Sequence, residues 1–381
     1  MNDCSDITVS AVRWYVVPTE FKDFTMVVVE TAGGLIGVGE ATLDMRSAQV
    51  CAGVEAAARH LVGHSAAGIE RIWSDLNDRV FWRGGPVDMA ALGAIDQALW
   101  DIAGKAAGMP VHRLLGGPFR TRVRAYLNQW WRAIAQGADL VDLARAAVAE
   151  GATALKWYPF RFLPQHEQNW AVGAAEVQRA VDEVAAVRAA VGPGVDLMVD
   201  LWRRLDRAAA AQFCRLVAPY GLFFIEEPVM AENIEVLAGL AQQSPVRLAT
   251  GERLVGRQEF RAVIERQAVG IVQPSVIRVG GITEMRKIAN LAELYGIGVA
   301  PHNPVGPVAT AASVQVCAAI PNAVILETYA NGVPAVRNEF MKVNLLLDGD
   351  GFEVGTRPGL GVEVDEQALV RLARVSGSVR A

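Results

Sequence analysis

The chain has 381 residues, of which 52% are hydrophobic and 20% are charged, and its formal net charge is −5. This length exceeds one ordinary domain and suits a barrel with a second, smaller unit, and the apolar fraction is sufficient for a large core. The acidic balance, without a basic cluster, excludes a nucleic acid or an anionic membrane surface as a partner.

Cysteine usage and the first residues indicate the cellular compartment. The four cysteines lie far apart without a CxxC pair, which indicates neither a zinc site nor a disulfide framework. The start MNDCSDITVS lacks the basic and apolar regions of a signal peptide, and no apolar run approaches the ~18 residues of a membrane span. We therefore expect a cytoplasmic protein that does not enter a membrane.

The first part of the chain, residues 1–121, predicts an α+β domain. Residues 7–17 and 25–30 have the composition of strands, and a Gly33-Gly34 turn leads into LIGVGEAT as in an antiparallel hairpin. Helical patterns follow at 47–62, 68–80 and 87–107.

From Arg122 onwards, short apolar strands alternate with helices that often end at a glycine. The predicted strands are 123–127, 153–157, 196–200, 222–226, 246–250, 269–273, 297–301 and 323–327. The predicted helices are 139–150, 171–191, 206–218, 232–243, 256–266, 282–295 and 307–319. This alternation predicts an α/β fold with a TIM-type (β/α)7β barrel over 122–330. The last segment, 331–381, is expected to pack back on the first domain.

One long insertion interrupts the alternation. It follows the second barrel strand and reads WYPFRFLPQHEQNW over residues 157–170. Its aromatic and charged content predicts a lid or a substrate-binding loop rather than a linker.

Three carboxylates stand at a common spacing in the predicted barrel. Asp200, Glu226 and Glu252 follow one another at intervals of 26 residues and close the apolar runs LMVD, FFIE and RLATGE. One βα unit has about this length, so the acids are predicted at successive strand ends on one rim. Mg²⁺, which prefers oxygen ligands, would relieve their mutual repulsion. The alternative is that each acid caps the helix that follows it.

The same spacing continues around the rim. Ser275 in VQPS, His302 in VAPH and Glu327 in VILE follow at intervals of 23, 27 and 25 residues, and Lys156 closes the second strand. Such a ring suits metal and acid–base chemistry. The alternatives are that His302 is a structural histidine and that Lys156 only neutralises the carboxylates.

Strand alternation brings two aromatic residues to the same rim. Tyr158 shares the face of Lys156, and Trp202 shares the face of Asp200. The ring favours removal of the proton next to a carboxylate, because a bound metal and Lys156 can stabilise the resulting enediolate.

Longer motifs along nearly the whole chain carry a family resemblance. They are GLIGVGEAT, DQALWDIAGKAAGMPVHRLLGG, FIEEPV, ATGERL, IVQPSVIRVGGITEMRKIA, GVAPHNPVGPVA and RPGLGVEVDE. On these motifs the chain resembles the mandelate racemase subgroup of the enolase superfamily, and within it the galactonate-dehydratase-like sugar-acid dehydratases.

The resemblance implies a capping domain whose loops near 18–24 and 44–46 close over a small sugar-acid substrate. The Mg²⁺ ligands that it implies are Asp200, Glu226 and Glu252. It places Glu227 behind these ligands and Glu327 in a hydrogen bond with the substrate. It also implies a homo-oligomer built on dimers, up to an octamer.

Several positions depart from the family pattern. The paired-lysine motif retains only Lys156, with Tyr158 in the second place. Trp202 replaces the histidine acid of similar dehydratases, and Ser275 replaces the aspartate that usually pairs with the histidine. A serine can fix the tautomer of His302 but cannot raise its pKa by charge. His302 is left as the sole conventional base.

The leading hypothesis is an Mg²⁺-dependent lyase that dehydrates a sugar acid, with His302 taking the α-proton and returning it to the departing hydroxide. The first alternative is a racemase or epimerase, in which Tyr158 would oppose His302 although a phenol of pKa near 10 needs help to act near neutral pH. The second is a catalytically silent homologue that binds a metal or a carboxylate, with Trp202 and Ser275 as signs of lost catalysis.

Four residues are candidates for contact with the substrate. They are Arg132, Arg161, Trp202 and Arg204. The arginines, with Arg203, could meet hydroxyls or a second carboxylate, and each fits a surface charge equally well.

Overall fold

The protein is described by a computed structural model that covers residues 7–79, 81–164, 171–331 and 333–381. An antiparallel sheet with helices stands at one end of the chain, and a curled parallel sheet follows it. The predicted fold class, an α/β TIM-type barrel with an α+β capping domain, is confirmed.

The capping domain is built on an antiparallel sheet. Its first strands are β1 (Val9–Val17), β2 (Phe24–Thr31) and β3 (Ile36–Glu40). Its helices are α1 (Ser47–Leu61), α2 (Ile69–Asp78), α3 (Pro86–Ala107) and α4 (Val111–Leu114). Helix α3 begins at Pro86, whose missing N–H is no loss in a first turn, and ends at the left-handed Gly108. It packs so closely on β3 that a Cβ on Gly39 would lie 1.9 Å from the carbonyl oxygen of Ala94.

The described ranges contain eight parallel barrel strands. They are β4 (Arg122–Leu127), β5 (Ala154–Trp157), β6 (Asp196–Asp200), β7 (Phe224–Glu226), β8 (Leu248–Thr250), β9 (Ile271–Val272), β10 (Gly298–Val299) and β11 (Leu326–Thr328). Neighbours in the chain pair from β4 to β10, and β11 pairs with β4. A parallel bridge between Val299 and Ala323 completes the ring.

A helix follows each of the first seven barrel strands. These helices are α5 (Leu140–Ala149), α6 (Ala174–Val191), α7 (Arg207–Leu216), α8 (Ile234–Ala241), α9 (Gly256–Glu265), α10 (Ile282–Leu294) and α11 (Pro307–Ala319). Asp139 and Asp206 cap α5 and α7 by accepting backbone N–H groups of the first turn.

A layer of side chains from all eight strands or their edges fills the barrel interior. They are Tyr126, Ala154, Met198, Phe224, Ala249, Ile271, Ala300 and Ile325. None is more than 2% exposed, so the interior is packed rather than open. A substrate site therefore has to lie above this layer, at the strand ends.

The C-terminal segment joins both units. Its elements are β12 (Met341–Val343), β13 (Gly351–Glu353), β14 (Glu363–Val364), α12 (Glu366–Leu372) and β15 (Val375–Arg380). Strand β13 pairs antiparallel with β4, and β15 pairs antiparallel with β1 at the edge of the capping sheet. This pairing supports the proposed assignment of 331–381 to the capping domain. The domain boundaries themselves stay predictions.

The predicted elements occur in the predicted order, with differences at their ends. The strand predicted at 269–273 is limited to Ile271–Val272, although the N–H groups of Gly270 and Gln273 still donate to carbonyl oxygens of β8. The predicted loop 157–170 is described only to residue 164, and residue 80 of the predicted helix 68–80 also lies outside the described residues. No helix in the described ranges is both long enough and apolar enough to cross a membrane.

Candidate active site

A cavity of about 950 Å³ lies between the capping domain and the barrel rim. The capping loops contribute Phe21, Lys22 and Asp44 to its wall. The predicted site residues that line it are Lys156, Tyr158, Asp200, Trp202, Glu252, His302, Glu327 and Arg132. The strand-end spacing thus brings residues that are far apart in the chain to one cavity.

The three candidate metal ligands follow neighbouring strands. Asp200 and Glu226 are the last residues of β6 and β7 and face each other in the parallel ladder, and Glu252 stands two residues after β8. Oε2 of Glu226 accepts from Nζ of Lys156 at 2.5 Å and from Nε2 of Gln273 at 2.7 Å. Oε1 of Glu226 is buried and has no hydrogen-bond partner in the described part of the chain.

Burial and mutual repulsion perturb these carboxylates. Burial raises the pKa of Asp200 to about 7; the charge of Lys156 opposes this rise, and the charges of Glu252 and Glu227 add to it. Burial likewise raises the pKa of Glu226, against the opposing charge of Lys156. The site therefore carries negative charge that its own cations compensate only in part.

These residues fit a hard divalent cation by chemistry and position. Asp200, Glu226 and Glu252 offer only oxygen ligands at adjacent strand ends. One of those oxygens, Oε1 of Glu226, is buried without a hydrogen-bond partner in the described part of the chain. As they stand, no three Asp, Glu, His or Cys side chains of the described residues converge on one point closely enough to hold a metal. The side chains of Glu226 and Glu252 instead contact the Lys156 ammonium and the His302 imidazole.

Lys156 bridges two carboxylates at the centre of the rim. Its Nζ lies 2.5 Å from Oε2 of Glu226 and 2.8 Å from Oε1 of Glu327, and the side chain is almost fully buried. Burial lowers the pKa of Lys156, but Glu226 and Glu327 outweigh burial and raise it well above the usual value. Lys156 is therefore held as a charged ammonium, which agrees with the alternative that it neutralises the carboxylates.

His302 lies in the same cavity as a buried imidazole. Its Nε2 is 2.9 Å from Oε2 of Glu252. Its Nδ1 has no hydrogen-bond partner among the described residues, so Ser275 does not fix the tautomer in the way the sequence allowed. Burial and the charge of Arg278 lower the pKa of His302, although Glu252 opposes them. The neutral ring, which can accept a proton, is favoured.

Tyr158 and Trp202 form an aromatic pair at the cavity wall. Their ring centroids are 5.5 Å apart, and the Tyr158 hydroxyl is buried without a hydrogen-bond partner in the described ranges. Burial raises the pKa of Tyr158 further above its usual value. Trp202 adopts a left-handed φ of 51°, and its N–H donates to Oδ1 of Asp200 at 2.8 Å. This strained turn holds the Asp200 carboxylate in place.

The candidate arginines separate into two groups. Arg132 lines the cavity, where its guanidinium lies 3.6 Å from the ring centroid of Phe21. Arg161 is instead paired with Glu183 at 2.6 Å and is not among the described residues of the cavity wall, so its contact with substrate stays a prediction. Arg204 donates to the carbonyl oxygen of Pro164 and is likewise not among the described residues of that wall, so its contact with substrate also stays a prediction.

The sequence reasoning missed several polar residues of the site. Nδ2 of Asn128 donates to Oε1 of Glu327 at 2.6 Å, and the backbone N–H of Asn303 donates to Oε2 of Glu327 at 3.1 Å. Arg253 pairs with Glu227 at 2.8 Å. Asn128, Asn303 and Arg253 each stand within one or two residues of a predicted strand end or rim residue, so the spacing rule could have included them.

Two family models match the chain. Residues 7–116 match the mandelate racemase/muconate lactonizing enzyme N-terminal domain, and residues 139–368 match the enolase C-terminal domain-like family. A D-galactonate dehydratase of Ralstonia nicotianae is 37% identical over 351 residues, which cover 91% of this chain and 90% of that protein. A D-galactonate dehydratase of Xanthomonas axonopodis pv. citri is 37% identical over 348 residues, which cover 90% and 89%.

Solved structures agree with these matches. A member of the enolase superfamily from Salmonella Typhimurium superposes with a TM-score of 0.90 at 29% identity, over 98% of this chain and all of that chain (100%). A mandelate racemase/muconate lactonizing enzyme-like protein from Rubrobacter xylanophilus superposes with a TM-score of 0.88 at 32% identity, over 97% and 98%.

Proposed function

The chain belongs to the mandelate racemase/muconate lactonizing enzyme family of the enolase superfamily, and on this premise we propose that it is an Mg²⁺-dependent dehydratase of a sugar acid. The names of its curated relatives support a lyase. The observation that carries the proposal is His302, a buried imidazole of lowered pKa in the same cavity as Asp200, Glu252 and Glu327.

We propose that Asp200, Glu226 and Glu252 hold the cation. When bound, it would supply positive charge to the substrate carboxylate and to the enediolate that develops there. Two observations support this assignment. Oε1 of Glu226 has no hydrogen-bond partner among the described residues, and burial and neighbouring negative charge raise the pKa of Asp200.

In the proposed reaction His302 accepts the proton on the carbon next to the carboxylate. The C–O bond on the following carbon then breaks, and His302 returns the proton to the departing hydroxide to give water. One residue can perform both steps when the proton and the hydroxide leave from the same side. Glu327, oriented by Asn128 and Asn303, would hold a substrate hydroxyl, and Lys156 would balance the charge of Glu226 and Glu327.

A racemase or epimerase is less well supported. It needs a second base opposite His302, and the residue available is Tyr158. Because burial raises the pKa of Tyr158, its hydroxyl is a poorer base near neutral pH than an exposed phenol.

The deciding experiment is turnover of five- and six-carbon sugar acids with Mg²⁺, with the 2-keto-3-deoxy product measured by a carbonyl assay. We expect turnover of at least one acid that stops on chelation of the metal. Formation of the α-epimer would support the racemase. Thermal shifts with several acids but no turnover of any would support the silent homologue.

We also propose a cytoplasmic homo-oligomer built on dimers. Phe81 and Trp82 are 86% and 84% exposed and stack edge to face, which is an apolar surface that a second copy would cover. The described cysteines, Cys51, Cys214 and Cys317, are buried free thiols, as a reducing compartment allows. A monomer by light scattering at micromolar concentration would refute the assembly.

A further inference from the structure

The cavity wall contains several cations, and nearly all have a carboxylate partner. Those partners are Asp44 for Lys22, Glu226 and Glu327 for Lys156, Glu232 for Arg203, Glu227 for Arg253 and Glu252 for Arg278. Arg132 is different: within the described ranges it contacts the amide oxygen of Gln129 at 3.4 Å and the ring of Phe21, and no carboxylate. Its positive charge is therefore available to a ligand.

Arg132 lies two, three and four strand positions along the rim from the candidate metal ligands Asp200, Glu226 and Glu252. It begins the 3₁₀ helix Arg132–Gln136, which follows β4, whereas Glu252 follows β8. In the observed strand order β4 and β8 are four positions apart, which is half of an eight-stranded ring. A substrate that crosses the cavity from Glu252 would therefore bring its far end to Arg132.

A second hydrogen-bond donor stands next to Arg132. Nε1 of Trp131 is buried and has no partner among the described residues, and Trp131 lines the same cavity. An indole N–H can only donate, so it requires an acceptor from a ligand or a water molecule. The two neighbouring side chains thus present donors and one positive charge to the far end of the substrate.

We propose that Arg132 and Trp131 form an anion subsite and that the substrate is a sugar acid with a carboxylate at each end. This inference rests on the proposed dehydratase function. A carboxylate matches the planar guanidinium, which the Phe21 ring holds by stacking. It also matches the single uncompensated charge of Arg132 better than a doubly charged phosphate would.

The test compares a six-carbon diacid with the six-carbon monoacid of the same configuration, in the holoenzyme with Mg²⁺. We expect the wild type to prefer the diacid in kcat/KM. Arg132→Met should lower the ratio of kcat/KM for diacid over monoacid about tenfold to a hundredfold, the loss expected for hydrogen bonds to a charged group, mainly through KM. Arg132→Lys should restore part of this ratio.

The matched control is Arg179→Met. Arg179 is also an exposed arginine stacked on a phenylalanine, Phe162 at 4.1 Å, but it does not line the cavity in the described part of the chain. This control should leave kcat/KM for the diacid, kcat/KM for the monoacid and their ratio unchanged. A thermal unfolding scan of each variant shows whether it is folded.

The outcomes separate the subsite from the proposed function. Monoacid turnover at equal or better kcat/KM, or an equal effect of Arg132→Met on both acids, would overturn the diacid subsite while leaving the dehydratase intact. Preference for a phosphorylated monoacid over the diacid would overturn it as well. If no acid of the five- and six-carbon panel reacts, the dehydratase proposal fails, and the diacid subsite is then judged by whether the diacid raises Tm in wild type but not in Arg132→Met.

Discussion

Nζ of Lys156 lies 2.5 Å from Oε2 of Glu226, and both residues are about 1% exposed. This pair couples Lys156 to Glu226, the second of the three candidate metal ligands along the chain. Because Oε1 of Glu226 has no partner in the described residues, the carboxylate can keep Lys156 on one oxygen and offer the other to a cation. We therefore expect the metal and Lys156 to neutralise the same carboxylate, that of Glu226.

Glu226→Gln should weaken Mg²⁺ binding at least tenfold and abolish turnover. The amide has the same shape but lacks the negative charge that attracts the cation. Isothermal titration calorimetry measures the affinity directly. Glu265→Gln, at an exposed position of α9 where Glu265 pairs with Arg261, is the control and should bind Mg²⁺ normally. Unchanged affinity in Glu226→Gln would show that Glu226 is not a ligand.

Lys156→Met should destabilise the metal-free protein by about 3–5 kcal/mol, because Glu226 and Glu327 would be left buried without their counter-charge. Mg²⁺ should restore part of this loss by supplying positive charge. Chemical denaturation with Mg²⁺ and with chelator measures both effects. Lys287→Met, which removes a partly exposed ion pair with Glu70, should lower the free energy of unfolding by about 0–1 kcal/mol. Mg²⁺ should not reverse this loss. Equal loss with and without metal in Lys156→Met would contradict the shared site.

His302→Asn should abolish exchange of the substrate α-proton with solvent deuterium while the protein remains folded and binds Mg²⁺. Asparagine is similar in size and polar but cannot act as a base near neutral pH. NMR of the recovered substrate in D₂O gives the exchange rate. Retained exchange would move the base to Tyr158 or Lys156 and would sink the proposed mechanism.

The buried carboxyl of Asp96 should cause the free energy of unfolding to decrease as pH rises from about 4 to 7. Burial raises its pKa from 3.8 to about 7, against hydrogen bonds from Thr283 that lower it. Between these pH values the carboxyl of the folded protein holds a proton that the unfolded chain has released. The contribution of Asp96 to the free energy of unfolding is therefore fully present below pH ~4 and is lost as pH rises through about 7. Asp96→Asn, which keeps an acceptor for the Thr283 N–H, should become more stable relative to wild type by about 2–3 kcal/mol between pH 5 and pH 8.

Denaturant titrations at those two pH values measure this difference. Asp75→Asn, at an exposed position on α2, is the matched control. A stability difference between wild type and Asp96→Asn that stays constant from pH 5 to pH 8 would show that Asp96 is ionised in the folded protein throughout this range.

The sequence by itself determined the architecture and which residues lie at the rim of the barrel. Asp200, His302 and Glu327 could be assigned to one face because a βα unit has a nearly constant length and parallel strands end at the same side of a barrel. Apolar periodicity and capping residues such as Asp139 and Asp206 located the helices for the same local reason.

Only the tertiary structure decided which side chains meet. Arg161 pairs with Glu183, and Ser275 makes no hydrogen bond to Nδ1 of His302. Arg132 meets Phe21 from a capping loop more than one hundred residues earlier in the chain. Spacing fixes where a Cα stands on the rim, but the direction of a side chain depends on partners that folding brings from distant segments, and no local pattern encodes them.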